Sequence, residues 1–213
     1  MLTYQLLSYK LMHQLVDGTI MTLRIGIILG STRPGRRGIQ IASWVLDTAR
    51  AYGSAEYELV DLADHNLGNL DEAGNPNHQL YEHAHTQKWG ELVESFDGYM
   101  FIVPEYNHSF PGALKNALDY VYREWNNKAA GIVSYGGWAA GVRAAEALRL
   151  VLAELQVATV RAQPAVPLIP TFSSGVFVPS DGIAASVVSM LDQLIAWSSA
   201  MRSVREAKAS SAA

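Results

Sequence analysis

Between Leu23 and Ile195, short and nearly uninterrupted apolar runs alternate with longer stretches whose apolar residues recur at helical spacing. That alternation confines the chain to an α/β domain built on a parallel sheet. LRIGIIL (23–29) reads as the first strand, YELVDL (57–62) as the second, GYMFIVP (98–104) as the third and AAGIVSY (129–135) as the fourth. A short fifth strand is expected between Val157 and Val166. The third run is apolar enough to be buried on both faces. Helices are expected over Ile39 to Tyr52, with Ile41, Val45 and Ala49 on one stripe and Gly53 placed to end it, and over Leu80 to Ser95. A third starts near Pro111, a fourth runs from Gly141 to Leu155, and a last one carries Val187, Leu191, Leu194 and Ile195. Five strands joined by right-handed crossovers give a three-layer, doubly wound domain, which binds ligands outside the carboxyl ends of its strands.

The 213 residues suffice for one domain with its own core. Residues 21–202 are assigned to it and 203–213, small and polar, to a flexible tail. In residues 1–20, Leu7, Leu11 and Leu15 recur at helix spacing beside Met12 and Val16, while Met21 stands directly before the first strand. Two readings stay open: an amphipathic packing or partner helix, or an extension from too early a start codon. A net charge of −4 gives no electrostatic reason to bind a nucleic-acid backbone. With no cysteine, disulfides, thiolate metal sites and cysteine nucleophiles are excluded. No apolar run approaches the roughly 20 residues of a membrane span and no signal peptide is legible. A cytoplasmic protein without a membrane partner is the expectation.

Three unusual loops fall at the strand ends where ligands belong. GSTRPGRRG (30–38) follows strand one, PEYNHSFPG (104–112) strand three, and SYGGWAAG (134–141) strand four. The first offers glycines for close approach, the hydroxyls of Ser31 and Thr32, guanidinium groups led by Arg33, and the N–H groups of a helix start. It lacks the lysine and hydroxyl of a triphosphate loop, and Gly30-Ser31-Thr32-Arg33 breaks the G-x-G-x-x-G of a dinucleotide turn. Arg36 and Arg37 are open between phosphate contact and surface. Asp61 has two readings, a ribose-binding acid or a cap on the strand end. PEYN and SYGG add backbone donors, the rings of Tyr106 and Tyr135 and the amide of Asn107. Together the loops argue for a flavin mononucleotide (FMN) site.

GSTRPGRRG, PEYNHSFPGALKNALDY and SYGG, in this order and spacing, resemble the NADPH-dependent FMN reductase family, which includes quinone, azo-dye and chromate reductases. The likeness runs from about Leu23 to Ala200. It implies a flavodoxin-like, five-stranded parallel sheet of order 2-1-3-4-5. It implies that Ser31, Arg33, Arg36, Gly38 and Ile39 bind the FMN phosphate. Pro104, Glu105, Tyr106 and Asn107 would line one side of the isoalloxazine, and Ser134, Tyr135, Gly136 and Gly137 its other edge. Many relatives carry a serine and an asparagine where this chain has Arg37 and Gln40. The implied activity is ping-pong hydride transfer from NADPH or NADH to flavin N5, then electron transfer to a small acceptor: a flavin, quinone, azo compound or metal oxyanion. No metal is implied, and a homodimer or homotetramer is.

His108 has two readings, a proton donor for quinone reduction or a residue that shapes its loop. His65, His78, His83 and His85 lack the spacing of a metal site and read as exposed loop and helix-start residues. YVYREWNNK (120–128) has the composition of a subunit contact, with core packing of Tyr120 and Trp125 as the alternative. Two other classes remain beside the enzyme: a flavodoxin-like electron carrier and a flavin-responsive regulator.

Overall fold

The computed structural model describes residues 22–212, with side chains to Ser210. The leader, residues 1–20, lies outside the described residues, as does its choice between helix and extension. The strands are β1 (Arg24–Leu29), β2 (Glu56–Asp61), β3 (Gly98–Pro104), β4 (Lys128–Gly136), β5 (Val157–Thr159) and β6 (Ala165–Pro167). The long helices are α1 (Gly38–Tyr52), α2 (Ala84–Glu94), α3 (Gly112–Asp119), α4 (Val142–Glu154) and α5 (Asp181–Ala212); a single helical turn spans Leu168–Thr171, and a small hairpin pairs β7 (Phe172–Ser173) with β8 (Val176–Phe177). The main sheet is parallel, in the order β2-β1-β3-β4-β5 of a flavodoxin-like fold.

The pleat sends alternate residues to opposite layers. Ile25, Ile27 and Leu29 of β1 and Met100 and Ile102 of β3 pack with Ile41, Val45, Leu191 and Leu194 of α1 and α5. Ile28, Phe101, Val103 and Ile132 meet Trp89, Leu114, Leu118, Trp125 and Leu148 on the other face. Every residue of β3 is buried, as its apolar run requires. The stretch 120–128 belongs to this interior: Tyr120, Val121 and Trp125 are fully buried, and the Glu124 carboxylate accepts from Gln79 and the Tyr81 hydroxyl. Its expected role as a subunit contact gives way to core packing.

Three boundaries differ from the sequence reading, each through a distant contact. α2 starts at Ala84 rather than Leu80, because the Glu72 carboxylate takes the N–H groups of Glu82 and His83 and holds the chain extended there. The single fifth strand is two, both paired to β4. Between them the Ala162 N–H turns to the Gln193 side chain, and the Val160 carbonyl accepts from Arg149. The tail expected over 203–213 continues as helix α5 to Ala212. Arg205 fastens that turn to Asp97 and to the Asn127 carbonyl. α5 is long and apolar enough to cross a membrane by length and composition alone, yet it lays Val187, Met190, Leu191 and Leu194 on the sheet.

Lys128 opens β4 and is 3% exposed, donating to the carbonyls of Val93 and Glu94 at the end of α2 and to the Tyr99 hydroxyl. Burial first, and the Arg205 charge second, bring its pKa down to about 7. In the unfolded chain a lysine holds its proton to about pH 10.4. Between these values the unfolded chain carries more protons, so stability rises with pH across that window by up to about 1.4 kcal/mol per unit. Chemical denaturation of wild type and Lys128→Met from pH 7 to 9 should show this slope in the wild type and its loss in the variant.

Candidate functional site

The register brings the carboxyl ends of β1, β3 and β4 to one edge, with Leu29 beside Ile102 and Pro104 beside Tyr135. Two backbone bonds carry the pairing past the strand ends, Gly30 N–H to the Ile102 carbonyl and Glu105 N–H to the Tyr135 carbonyl, both 3.0 Å. The three loops picked out by sequence therefore leave the sheet side by side. They enclose a cavity of about 360 Å³, within the range of small-molecule sites. Arg33, Pro34, Gly35, Arg36 and Arg37 line it from the first loop, and Pro104, Glu105 and Tyr106 from the second. Tyr135, Gly136 and Gly137 close it from the third, and Leu168 joins from the segment after β6.

In the first loop Gly35 turns the chain with φ +67°. The Arg36 guanidinium pairs with Asp61, whose other oxygen accepts the Ala63 N–H and caps the turn after β2. Asp61 is thus a cap and an arginine partner. Arg33 is exposed. Arg37 lies over the Phe172 ring, 4.9 Å from its centroid. No side chain caps α1, and in its first turn the Gln40 N–H turns back to the Arg37 carbonyl; an uncapped helix start is a type of backbone that can accept an anion. Gln40 is engaged at both ends of its amide by the hairpin, donating to the Gly175 carbonyl and accepting from Phe177 N–H, each at 2.9 Å.

The second loop is a two-residue turn. Asn107 and His108 take φ of +49° and +74°, and Tyr106 and Ser109 exchange backbone hydrogen bonds across them, the geometry of a type I′ hairpin turn. The Tyr106 hydroxyl reaches back to Ser31 Oγ at 2.7 Å, tying the second loop to the first. Glu105 is held by Arg143 at the start of α4. His108 is exposed at the turn tip, outside the cavity lining. In the third loop, Ser134 Oγ donates to the Ala140 carbonyl at 3.0 Å, so Ser134 fastens the loop from beneath. A Cβ on Gly38 would overlap the Tyr135 hydroxyl, which explains a glycine at the helix start. Burial raises the Tyr135 pKa, so its hydroxyl stays protonated and able to donate.

Of the residues singled out from sequence, Arg33, Arg36, Pro104, Glu105, Tyr106, Tyr135, Gly136 and Gly137 line the cavity. Ser31, Gly38 and Ser134 are buried behind its wall, while Ile39 and Asn107 are exposed on its flanks. Sequence reasoning missed Leu168 and the Arg143 partner of Glu105. Neither carried a signal, since each arrives from a separate element. His83 and His85 stack at 5.3 Å and His85 reaches Asp71, while His65 packs on Trp89. Among the described residues no three His, Asp or Glu side chains converge as metal ligands.

Five buried side-chain atoms have no hydrogen-bond partner among the described residues, and three of them belong to this one cavity: Arg36 Nε, Glu105 Oε2 and Tyr135 Oη. Buried polar atoms are normally paired, so their concentration in residues that line one cavity points to a polar partner there. Two donors and one acceptor, in a cavity also lined by Pro104, Gly136, Gly137 and three arginines, suit a heteroatom-bearing ring with an anionic tail.

Residues 23–170 match the family described as NADPH-dependent FMN reductase. An NAD(P)H-dependent FMN reductase of Schizosaccharomyces pombe is 40% identical over 149 residues, 69% of this chain and 74% of its own. An NAD(P)H:quinone oxidoreductase of Solanum tuberosum is 33% identical over 132 residues, 60% of this chain and 66% of its own. In fold, the chain resembles the flavoenzyme NAD(P)H:(acceptor) oxidoreductase FerB of Paracoccus denitrificans, with TM-score 0.64 and 19% identity over 84% of this chain and 98% of that one. The match covers all three loops of the cavity and the sheet that aligns them, and on that footing this chain belongs to the NADPH-dependent FMN reductase family.

Proposed function

We propose that the protein is an FMN-dependent NAD(P)H oxidoreductase whose cavity holds the flavin and passes electrons to a small acceptor. The observation that carries this reading is the set of buried, unpartnered polar atoms, Arg36 Nε, Glu105 Oε2 and Tyr135 Oη, in residues that line a single cavity between the three loops. Bound FMN supplies the hydride-accepting ring, a chemistry no side chain of this chain provides. Arg33 and the uncapped start of α1 take the phosphate. Arg36, locked by Asp61, lends its free Nε. The loop of Pro104 to Asn107 and the loop of Ser134 to Gly137 hold the ring between them.

The backbone N–H groups of Asn107, His108 and Gly137 form no bond within the described residues and are free to donate to a ring edge that gains negative charge. Glu105, fixed by Arg143, keeps its second oxygen for a ring N–H. His108 serves to shape its turn, standing apart from the cavity lining. One open side serves both donor and acceptor, so they take turns and the kinetics are ping-pong. Flavins, quinones, azo compounds and metal oxyanions are the acceptor classes. We further propose a homodimer or homotetramer, supported by Leu150, which is 77% exposed beside an apolar cleft of about 370 Å³ that Val151 and Leu155 also line.

Titration of the protein with FMN, followed by quenching of flavin fluorescence, should saturate at one flavin per chain. Arg33→Ala should raise the FMN dissociation constant about tenfold, the scale of one lost charge-assisted contact, with the melting temperature unchanged because Arg33 is exposed. Equal FMN affinity in the variant removes Arg33 from the site. A protein that takes up no flavin refutes the reading.

A further inference from the structure

Trp138 is 97% exposed, more than any other large apolar side chain among the described residues. Tryptophan is seldom left so open. It directly follows Gly137, which lines the cavity. Its turn is not a loose tip. The Ala140 carbonyl accepts from Ser134 Oγ at 3.0 Å, and Val142 N–H bonds the Ala139 carbonyl at 2.9 Å. The Gly141 backbone packs so closely on Tyr135 that a Cβ at 141 would come 2.6 Å from the Tyr135 carbonyl oxygen. On a second segment of the same rim, Leu168 lines the cavity and the next residue, Ile169, is 82% exposed.

The two substrates of the proposed reaction have different needs. A reduced nicotinamide dinucleotide carries phosphates, for which the rim offers the exposed guanidinium group of Arg37. A flat, uncharged acceptor has no such handle and must draw its affinity from ring surface. The rim supplies that surface at Trp138.

We propose that Trp138 is a specificity-determining residue: it stacks on flat, uncharged aromatic acceptors of the quinone class at the cavity mouth and favours them over small inorganic oxidants. The inference rests on the reading of the cavity as a flavin site. In the favoured reaction one quinone takes two electrons and two protons from the reduced flavin and leaves as the quinol. With ferricyanide, two ions each take one electron and the two protons pass to solvent.

The test uses FMN-loaded wild type, Trp138→Ala and Trp138→Phe, photoreduced without oxygen and mixed by stopped flow with a naphthoquinone or with ferricyanide. Reoxidation is read independently of NADPH. The ratio of the quinone to the ferricyanide rate constant should fall about tenfold in Trp138→Ala, the scale of one lost aromatic stack, and recover most of that loss in Trp138→Phe. An unchanged ratio overturns the inference. So does an unchanged ratio accompanied by a shift in sedimentation coefficient, which assigns Trp138 to a contact between copies. A flavin that NADPH cannot bleach, in a protein whose ratio still falls, refutes the NAD(P)H reductase reading and leaves the stacking intact. A protein that takes up no FMN overturns both.

Discussion

Gly136→Val should yield a folded protein whose FMN dissociation constant is raised about 100-fold. A Cβ at this position lies 2.9 Å from the backbone nitrogen of Gly141, an overlap with main chain that only a shift of the loop relieves. Gly141 takes φ +82°, and an added Cβ there would itself meet the Tyr135 backbone. Position 136 is the last residue of β4, paired with Pro167 of β6. The added volume therefore displaces the loop of Gly137 to Gly141, whose Gly137 lines the cavity, and overpacking of this kind costs about 1–3 kcal/mol. The sheet beneath is untouched, so circular dichroism should remain that of the wild type while fluorescence titration reports the lost flavin. An unaltered FMN affinity would mean that this loop does not border the ring.

The second large effect concerns stability at the opposite end of the sheet. Asp97 accepts from the Arg24 backbone N–H and pairs with both Arg202 and Arg205 of α5. Burial opposes its charge, but the Arg202 hydrogen bond, the Arg24 N–H and the two guanidinium charges outweigh that and hold its carboxyl below the usual range. A depressed carboxyl stabilises the fold above its unfolded pKa of about 3.9 and loses that contribution as the pH falls below it. Asp97→Asn leaves two arginines without their anion. It should lower stability by about 3 kcal/mol at pH 7 and the melting temperature by about 9 °C. The gap between variant and wild type should narrow as the pH drops below 4. Urea denaturation of both proteins at pH 7 and pH 3.5 measures each part. A constant gap across that range would contradict the assignment of the Asp97 charge.

The two predictions separate what the sequence makes legible from what it hides. β3 was readable because a strand buried on both faces has no polar residue to break its run, as all seven positions from Gly98 to Pro104 display. The three loops were readable because glycine, proline and arginine stand directly after such runs, and a parallel sheet must bring those ends together. The rest depends on residues far apart in sequence. Nothing near Leu80 tells that Glu72 will hold the chain extended until Ala84. Nothing in REAKASSAA tells that Asp97, over 100 positions earlier, fastens Arg205 and keeps the helix going. The composition of YVYREWNNK suits an interface and a core alike, and only the packing of Trp125 against Tyr99 and Trp89 decides between them. Within the site, Arg33 and Tyr135 carried their own signal. Arg143 and Leu168 did not, because their place follows from the start of α4 and from the chain after β6.

Among the classes that the fold alone would allow, an oxidoreductase differs from a carrier or a regulator in one respect: its flavin is emptied and refilled by two small molecules in turn. Anaerobic addition of NADPH to the FMN-loaded protein, watched at the flavin absorbance band near 450 nm, tests this directly. We expect one equivalent to bleach the band and a quinone added afterwards to restore it. A flavin that is bound but never bleaches contradicts the account.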